Sequence, residues 1–500
     1  MPVSPVRLVV LLAIPAVLVW FAAQIYRQYR RLRHIPGPRF AGLSKWWIIR
    51  ATWSGRTHLD YYEACQTYGN VVRISPHDVV TSDIDLVKRI LAVRSPYKRS
   101  NWYNGLRFNP AENNILSMRD DKVHSILRSK MAAGYSGKDV EKLELKIDNT
   151  VLNLIKLIQE YAFASKPLDL TRKVHFLAID VISELAFGKS FGDLTSDADV
   201  HDYIATMEKY LPTLVVSTVI SWFIPMLGLP IFRPFLPSEH DVVGVGHITG
   251  IAKRVASERF GPEKIVRRDM VGSFVARGLT QAQTESEIAA QLVAGSDTTA
   301  TAMGATLLHI ITNPRVLSQL QQEIAQTPLS RPVARDAEIR TMTYLQAVIK
   351  EGLRIFPPIT GFMSKEVPAD GDTWKGMCFP PGTRIGLCMW GICRNAHVWG
   401  TDADQFRPER WLNASPEQRA VMDSTLDLVF GSGKWGCLGR NIAQLELNKV
   451  LVELLRRFDF NLVDPTRPWK ATSCVVFQLS NLWVRASIRD QSLVLVPTEE

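Results

Sequence analysis

A chain of 500 residues that is 46% hydrophobic and 22% charged has enough apolar sequence for a large buried core. Those proportions exclude intrinsic disorder and a small disulfide-stapled scaffold. Lys and Arg number 59 against 49 Asp and Glu, a formal net charge of +10, yet no zinc-finger spacing or aromatic-plus-basic repeat accompanies the surplus. The charge therefore points to a membrane surface or an acidic protein partner and away from nucleic acid. The six cysteines form no Cys-x-x-Cys pair, so reduced thiols in a cytosolic environment are expected.

The first element is the run LVVLLAIPAVLVWFAAQIY from Leu8 to Tyr26, in which Gln24 is the only strongly polar side chain. As a helix it extends roughly 28 Å, enough to span the hydrocarbon of a bilayer. Pro15 interrupts its hydrogen bonding, which membrane helices tolerate better than soluble ones. Arg27, Arg30, Arg31 and Arg33 follow, so the positive-inside rule leaves the bulk of the chain in the cytosol. A cleaved signal peptide is the alternative. The length of the run, the lack of Ala-x-Ala and the basic stop-transfer cluster favour one N-terminal transmembrane helix. Pro36-Gly37-Pro38 then forbids helix and makes a stiff elbow. The expected division is an anchor with its basic flank, residues 1–35, and one large domain, residues 36–500, since no Gly/Ser-rich or Pro-rich tract divides the rest.

Within that domain, RISPHDVV over 73–80 and RIGLC over 384–388 read as short strands. Apolar stripes of helical period run over 140–163, 171–187, 285–312, 315–324, 344–355 and 441–458, so the domain should be mainly helical. The stretch 211–237 is apolar but punctuated by prolines, too broken for a second span. It reads as a surface that dips into a bilayer, a flexible entrance or a buried core segment.

The helix over 285–312, ended by Asn313-Pro314, contains Ala294-Gly295-Ser296-Asp297-Thr298-Thr299. Gly295 permits close approach to the backbone there, and the Thr298 hydroxyl can interrupt the helical hydrogen bonding. Glu351-Gly-Leu-Arg354 sets an acid and a guanidinium on one helix face. Glu453-Leu-Leu-Arg456 has the same spacing and reads as a solvated ion pair. Last comes Phe430-Gly-Ser-Gly-Lys-Trp-Gly-Cys437-Leu-Gly439, a glycine-rich loop ahead of a helix. Its glycines let the backbone turn tightly and approach a flat cofactor, and amides at a helix start stabilise a thiolate at Cys437.

Taken together these motifs resemble the cytochrome P450 superfamily. Its signature Phe-x-x-Gly-x-(Arg/His)-x-Cys-x-Gly is matched by Phe430, Gly433, Cys437 and Gly439, with Trp435 where the family places a basic residue. Residues 294–299 are similar to (Ala/Gly)-Gly-x-(Asp/Glu)-Thr-(Thr/Ser) at every position. Phe406-Arg-Pro408-Glu-Arg410-Trp411 resembles Phe-x-Pro-Glu-Arg-Phe, whose arginine joins the helix Glu and Arg. The resemblance implies a buried structural triad of Glu351, Arg354 and Arg410 that braces the cysteine loop. Val123-His124-Ser-Ile-Leu-Arg128 matches the family's Trp-x-x-x-Arg helix, which makes His124 and Arg128 candidates to hold a haem propionate, with Lys365 a further one.

What the resemblance implies is the cytochrome P450 fold, mainly α with small β-sheets, preceded by the transmembrane helix. Haem b would lie between the long central helix and the Cys437 loop, with the Cys437 thiolate as axial ligand and metal donor and Gly295 admitting haem and dioxygen. Asp297 and Thr298 would manage protons as the catalytic residues. The expected function is that of a haem-thiolate monooxygenase that activates O2 and hydroxylates or otherwise oxidises a hydrophobic small molecule. Gly134-Tyr-Ser-Gly-Lys138 and the Lys-Trp-Gly-Cys loop look like filamentous-fungal members, which points to secondary-metabolite biosynthesis. No flavin or nicotinamide fingerprint is present, so electrons are expected from NADPH through a separate NADPH-cytochrome P450 reductase. The expected location is the endoplasmic reticulum membrane, with the domain facing the cytosol.

The resemblance also implies a substrate pocket lined from 101–115, 211–223, 289–296, 359–364 and 475–479, where Phe362, Met363, Val476 and Phe477 suggest an apolar ligand or equally belong to the core. Trp435 leaves a propionate contact to be replaced or lost. A peroxide-rearranging isomerase or dehydratase, and a non-catalytic haem-binding membrane protein, are the alternatives.

Overall fold

Asp120, Asp169 and Thr280 each precede a helix and accept from its first unpaired N–H groups, so the elements around the site start at defined residues. The computed structural model describes residues 5–235, 241 and 244–495, without the side chains of 5–12, 233–235, 245 and 491. The principal helices are α1 (Pro5–Arg31), α2 (Asp121–Tyr135), α3 (Leu143–Phe163), α4 (Leu170–Phe187), α5 (Tyr203–Val219), α6 (Gln281–Ile311), α7 (Thr343–Ile355) and α8 (Arg440–Arg457). α6 opens on a capping box between Thr280 and Gln283, and Asn313-Pro314 follows its end. α6 and α4 are buried along most of their length and form the centre of the main core, against which α7 and α8 pack.

Short strands form the second layer. β1 (Val71–Arg73), β2 (Asp78–Thr81), β3 (Lys98–Arg99), β4 (Lys365–Glu366) and β5 (Arg384–Leu387) make a sheet in the order β1-β2-β5-β4-β3. β2 and β5 run parallel, while the other neighbours are antiparallel. The single strand expected over 73–80 is instead a hairpin. Pro76 supplies no N–H, and Ser75 Oγ accepts from the Asp78 N–H at 3.1 Å, which turns the chain between two strands. A second hairpin, β6 (Lys470–Ser473) and β7 (Phe477–Ser480), reaches α6, where Thr301 Oγ1 donates to Phe477 O at 3.0 Å.

The elbow after α1 is clamped by Arg73. Its N–H donates to Pro36 O at 2.8 Å, and its guanidinium donates to the carbonyls of Tyr29 at 2.9 Å and Gln28 at 3.1 Å. Gly37 allows the approach, because a Cβ there would lie 2.0 Å from Arg73 O. α1 is continuous through Pro15, with Ile14, Val17, Leu18, Trp20 and Phe21 exposed. The transmembrane helix expected over Leu8 to Tyr26 is not shown: its first side chains lie outside the described ones, and among the described residues no helix is long and apolar enough to cross a membrane.

Of the three readings of 211–237 the first part takes the buried one, and one further expectation, about Glu453, changes. The proline-punctuated stretch 211–237 is largely ordered helix: α5 runs through Pro212 to Val219, followed by short helices at Phe223–Leu227 and Pro230–Phe235, while 236 and 237 lie outside the described residues. Burial of Leu211, Val215 and Val219 outweighs the one hydrogen bond that Pro212 forfeits. Glu453 and Arg456 are not a solvated pair. The Glu453 side chain is fully buried and accepts from Arg456 Nε at 2.9 Å, from Arg457 and from the Ala334 N–H at 2.8 Å.

Candidate active site

The loop from Phe430 to Gly439 folds back on itself. Gly431 and Gly433 take left-handed backbone angles (φ of 74° and 58°) that a side chain would strain. The Cys437 N–H donates to Phe430 O at 2.7 Å, which sets the thiol at the N-terminus of α8, exposed to a large internal cavity. Burial pushes the Cys437 thiol above its ordinary pKa, against the N–H groups of Gly439 and Arg440 and the positive charges of Arg128 and Arg440. A cation bonded directly to the sulfur would hold it as thiolate.

Across the cavity, α6 presents Ala294, Gly295 and Thr298. Thr298 Oγ1 donates to Ala294 O at 2.8 Å, a bond to its own helix that leaves the hydroxyl oxygen on the cavity side. Gly295 also has a packing role: a Cβ there would lie 2.9 Å from Ile182 Cγ1 of α4. Asp297 does not share this face. Its Oδ1 lies 3.0 Å from His175 Nε2 of α4 and 3.5 Å from the Tyr203 hydroxyl of α5, on the other side of α6. The acid and the alcohol expected to act together therefore face different spaces.

One edge of the cavity is strongly basic, lined by Arg99, His124, Arg128, Lys365 and Trp435. Arg99 Cζ sits 4.0 Å and Lys365 Nζ 4.2 Å from the Trp435 ring centroid, and the His124 ring lies 4.0 Å away. Arg128 donates to Gly436 O at 2.6 Å, tying α2 to the cysteine loop. Burial, then the neighbouring Arg99, bring Lys365 down to about 7. Burial alone is the main cause that brings Arg99 to about 10, and burial with Arg99 and Arg128 brings His124 to about 3, so His124 is a neutral ring. His124 Nδ1 and Arg99 Nε are buried without partners, and the nearby acid Asp121 is already paired with Lys434 at 2.5 Å.

Buried cations with so little counter-charge call for an anion. Haem offers iron to the thiol and two carboxylates to this edge, so the residues fit the group. Arg99 carries no motif and sits in a two-residue strand, so the sequence offers no sign of it. With Lys365 it provides the positive charge that Trp435 lacks.

The triad forms as expected. Glu351 accepts from Arg354 Nη2 at 2.7 Å and Nε at 2.9 Å, from Arg410 Nε at 2.9 Å, from the Arg407 N–H at 2.9 Å and from Trp411 Nε1 at 3.0 Å. Those hydrogen bonds and charges hold its carboxyl below the usual range against burial. Arg354 also donates to the carbonyls of Cys393, Ala403 and Gln405. These bonds end on residues 393–411, so the triad braces the stretch leading to the cysteine loop rather than the loop itself.

The cavity encloses about 680 Å³ and its upper walls are mostly apolar. They come from Trp102, Tyr103, Leu106 and Phe108, from Leu211, Leu214 and Val215, from Ala289, Ala290 and Val293, and from Ile359, Met363, Val475 and Val476. Of the four apolar candidates, Met363 and Val476 line it. Phe362 packs on Tyr61 and Phe477 on Phe356, with ring centroids 6.3 and 4.2 Å apart, so both belong to the core. Ile224, Leu227 and Ala252 are walls that periodicity did not mark.

The family model for cytochrome P450 matches residues 38–481. The chain is 38% identical over 491 residues to the cytochrome P450 monooxygenase ABA1 of Pyricularia oryzae, covering 94% of this chain and 95% of the relative. It is 35% identical over 468 residues to the cytochrome P450 monooxygenase aba1 of Botryotinia fuckeliana, covering 91% and 92%. Pisatin demethylase of Fusarium vanettenii is 28% identical over 474 residues, covering 91% and 88%. With a glycine cradle for one cysteine, a helix crossing the facing wall and a basic edge between them, the chain belongs to the cytochrome P450 family.

Proposed function

We propose that the protein is a haem-thiolate monooxygenase that uses O2 to oxidise a hydrophobic small molecule, in fungal secondary metabolism. The observation that carries this reading is Cys437, set by its glycine loop against a mostly apolar cavity of about 680 Å³ with an under-compensated basic edge. Cys437 would hold the iron, and Arg99, Arg128 and Lys365 the propionates, with His124 as a neutral donor. Thiolate-ligated haem, when bound, supplies the redox chemistry that activates O2. The protein's own part is to position and to exclude water. Apolar walls of α5, α6 and the 101–115 stretch bury the substrate, and the Thr298 hydroxyl holds a proton or a water at the cavity face of α6.

Electrons would come from NADPH through a separate NADPH-cytochrome P450 reductase, for which a chain of net charge +10 suits an acidic partner. The reading places the chain at the endoplasmic reticulum membrane, with residues 1–35 as anchor and basic flank. The exposed apolar side chains of α1 and the arginines that follow support this. The test is Cys437→Ser in the haem-loaded protein. The red-shifted Soret band of the reduced carbon-monoxide complex should disappear, and an unchanged band would refute ligation by Cys437.

A further inference from the structure

Asp297 and Thr298 are neighbours in sequence, but the space that Asp297 faces has its own polar equipment. The Asp297 side chain is 2% exposed, whereas that of His175, 3.0 Å away through Nε2, is 14% exposed. The Tyr203 hydroxyl lies 3.5 Å from the same carboxylate oxygen and is hydrogen-bonded with Ser296 Oγ at 2.9 Å. Asp297 Oδ2 is buried and has no partner. Beside them lies a side pocket of about 10 Å³, lined by Thr171, His175, Glu208, Asp297 and Gln478 with apolar neighbours. That is room for about one water, with several polar partners to hold it.

We infer that His175 is the inlet through which protons from solvent reach Asp297, on the side of α6 opposite the substrate cavity. The inference rests on the monooxygenase reading, whose turnover consumes protons. In the transfer the Nε2–H bond of the imidazolium breaks and an Oδ1–H bond forms on Asp297, leaving a neutral ring protonated at Nδ1. Rotation of the ring turns the bare nitrogen to the pocket water, which returns a proton and is itself resupplied by bulk water. No electrons move. A half-turn of the protonated carboxyl carries that O–H to the place of Oδ2, which has no partner, and release of the proton from there restores the carboxylate.

The groups facing His175 leave this pair to do the exchange. α6 contributes Asp297, α5 contributes Tyr203 and Glu208, β7 contributes Gln478, and α4 itself contributes Thr171. Glu208 is paired with Arg172 at 3.0 Å. Burial, then Asp297, push Tyr203 well above its usual range, so it stays neutral.

The test uses the full-length, haem-loaded protein and its His175→Gln variant, whose amide keeps a donor towards Asp297 but carries no exchangeable charge. The reduced carbon-monoxide spectrum comes first. Its absence in the parent protein overturns the monooxygenase reading, whereas its presence in both proteins leaves the relay as the only question. NADPH oxidation with an added fungal reductase, without substrate, is then followed in H2O and D2O between pH 5.5 and 8.5. The variant should be slowed by about tenfold and show a larger solvent isotope effect. Independently, in histidine-labelled protein in its reduced carbon-monoxide form, NMR should show the His175 Nε2–H exchanging with solvent about tenfold faster once Asp297→Asn removes the carboxylate 3.0 Å away that holds it. An unchanged rate and isotope effect in His175→Gln, or a His175 Nε2–H exchange rate unmoved by Asp297→Asn, overturns the inference.

Discussion

Glu351→Ala gives the clearest measure of what the buried triad contributes. Five donors converge on the two Glu351 oxygens, from Arg354, Arg407, Arg410 and Trp411. The side chains of Arg354 and Arg410 are 0% and 3% exposed, so water cannot readily replace the carboxylate. Each charge-assisted bond is worth about 1.5–3 kcal/mol, and a simple sum would exceed the stability of many domains. The sum is not the cost, because Arg354 keeps its carbonyl partners and Arg410 keeps Asp402 at 3.1 Å. The loss should instead match removal of one partner from a buried pair, about 3–5 kcal/mol. Urea unfolding followed by far-ultraviolet circular dichroism should show the midpoint falling by roughly 0.5–1 M, because the dependence on denaturant steepens with chain length. Glu351→Gln, which retains one acceptor oxygen, should lie between. A loss below about 1 kcal/mol in Glu351→Ala would refute the reasoning that the two guanidiniums depend on this carboxylate.

Gly352→Ala should destabilise by about 1–3 kcal/mol, since its Cβ would lie 2.1 Å from Oγ1 and 3.0 Å from Cβ of the buried Thr306. Adding Thr306→Ala should recover most of the loss in the same thermal or urea measurement. Glu287 carries a different signature: burial raises its carboxyl to about 8 while it accepts from the Ile115 N–H at 2.7 Å. The folded protein then binds more protons than the unfolded chain between about pH 4.5 and 8, so this group's stabilisation is present below that interval and lost as pH rises through it. Glu287→Gln should flatten that part of the stability profile and be more stable than the parent above pH 8 by a few kcal/mol, about 5 at most. An equal change in unfolding free energy between about pH 5 and 8.5 in parent and variant, measured by urea unfolding, would contradict this. Thr298→Ala should raise peroxide release relative to NADPH consumed, and unaltered partitioning would count against a proton role for its hydroxyl.

The sequence shows most clearly what is written locally. Apolar stripes marked α6, α7 and α8 to within a few residues, with a proline just past the end of α6 and of α7. Pro212 gave the opposite signal, and tertiary burial overrode it in α5. The cysteine loop was legible because its glycines, sulfur and following helix are contiguous. The triad was legible because two motifs point to one another. Arg99 and His175 were not, since each owes its place to elements far away in the chain: β3 beside β4, and α4 against α6. Spacing alone also failed to separate two similar pairs. Glu351 with Arg354 and Glu453 with Arg456 are both buried, the second because the Ser330 to Ala334 turn closes over α8.

Arg73 and Lys45 together make the elbow a mechanical coupling. Arg73 grips carbonyls in the last turn of α1, and beyond the elbow Lys45 Nζ donates to Val219 O at 2.9 Å, at the end of α5. One short connection thus ties the N-terminal helix to the end of α5, the helix whose Leu211, Leu214 and Val215 wall the cavity.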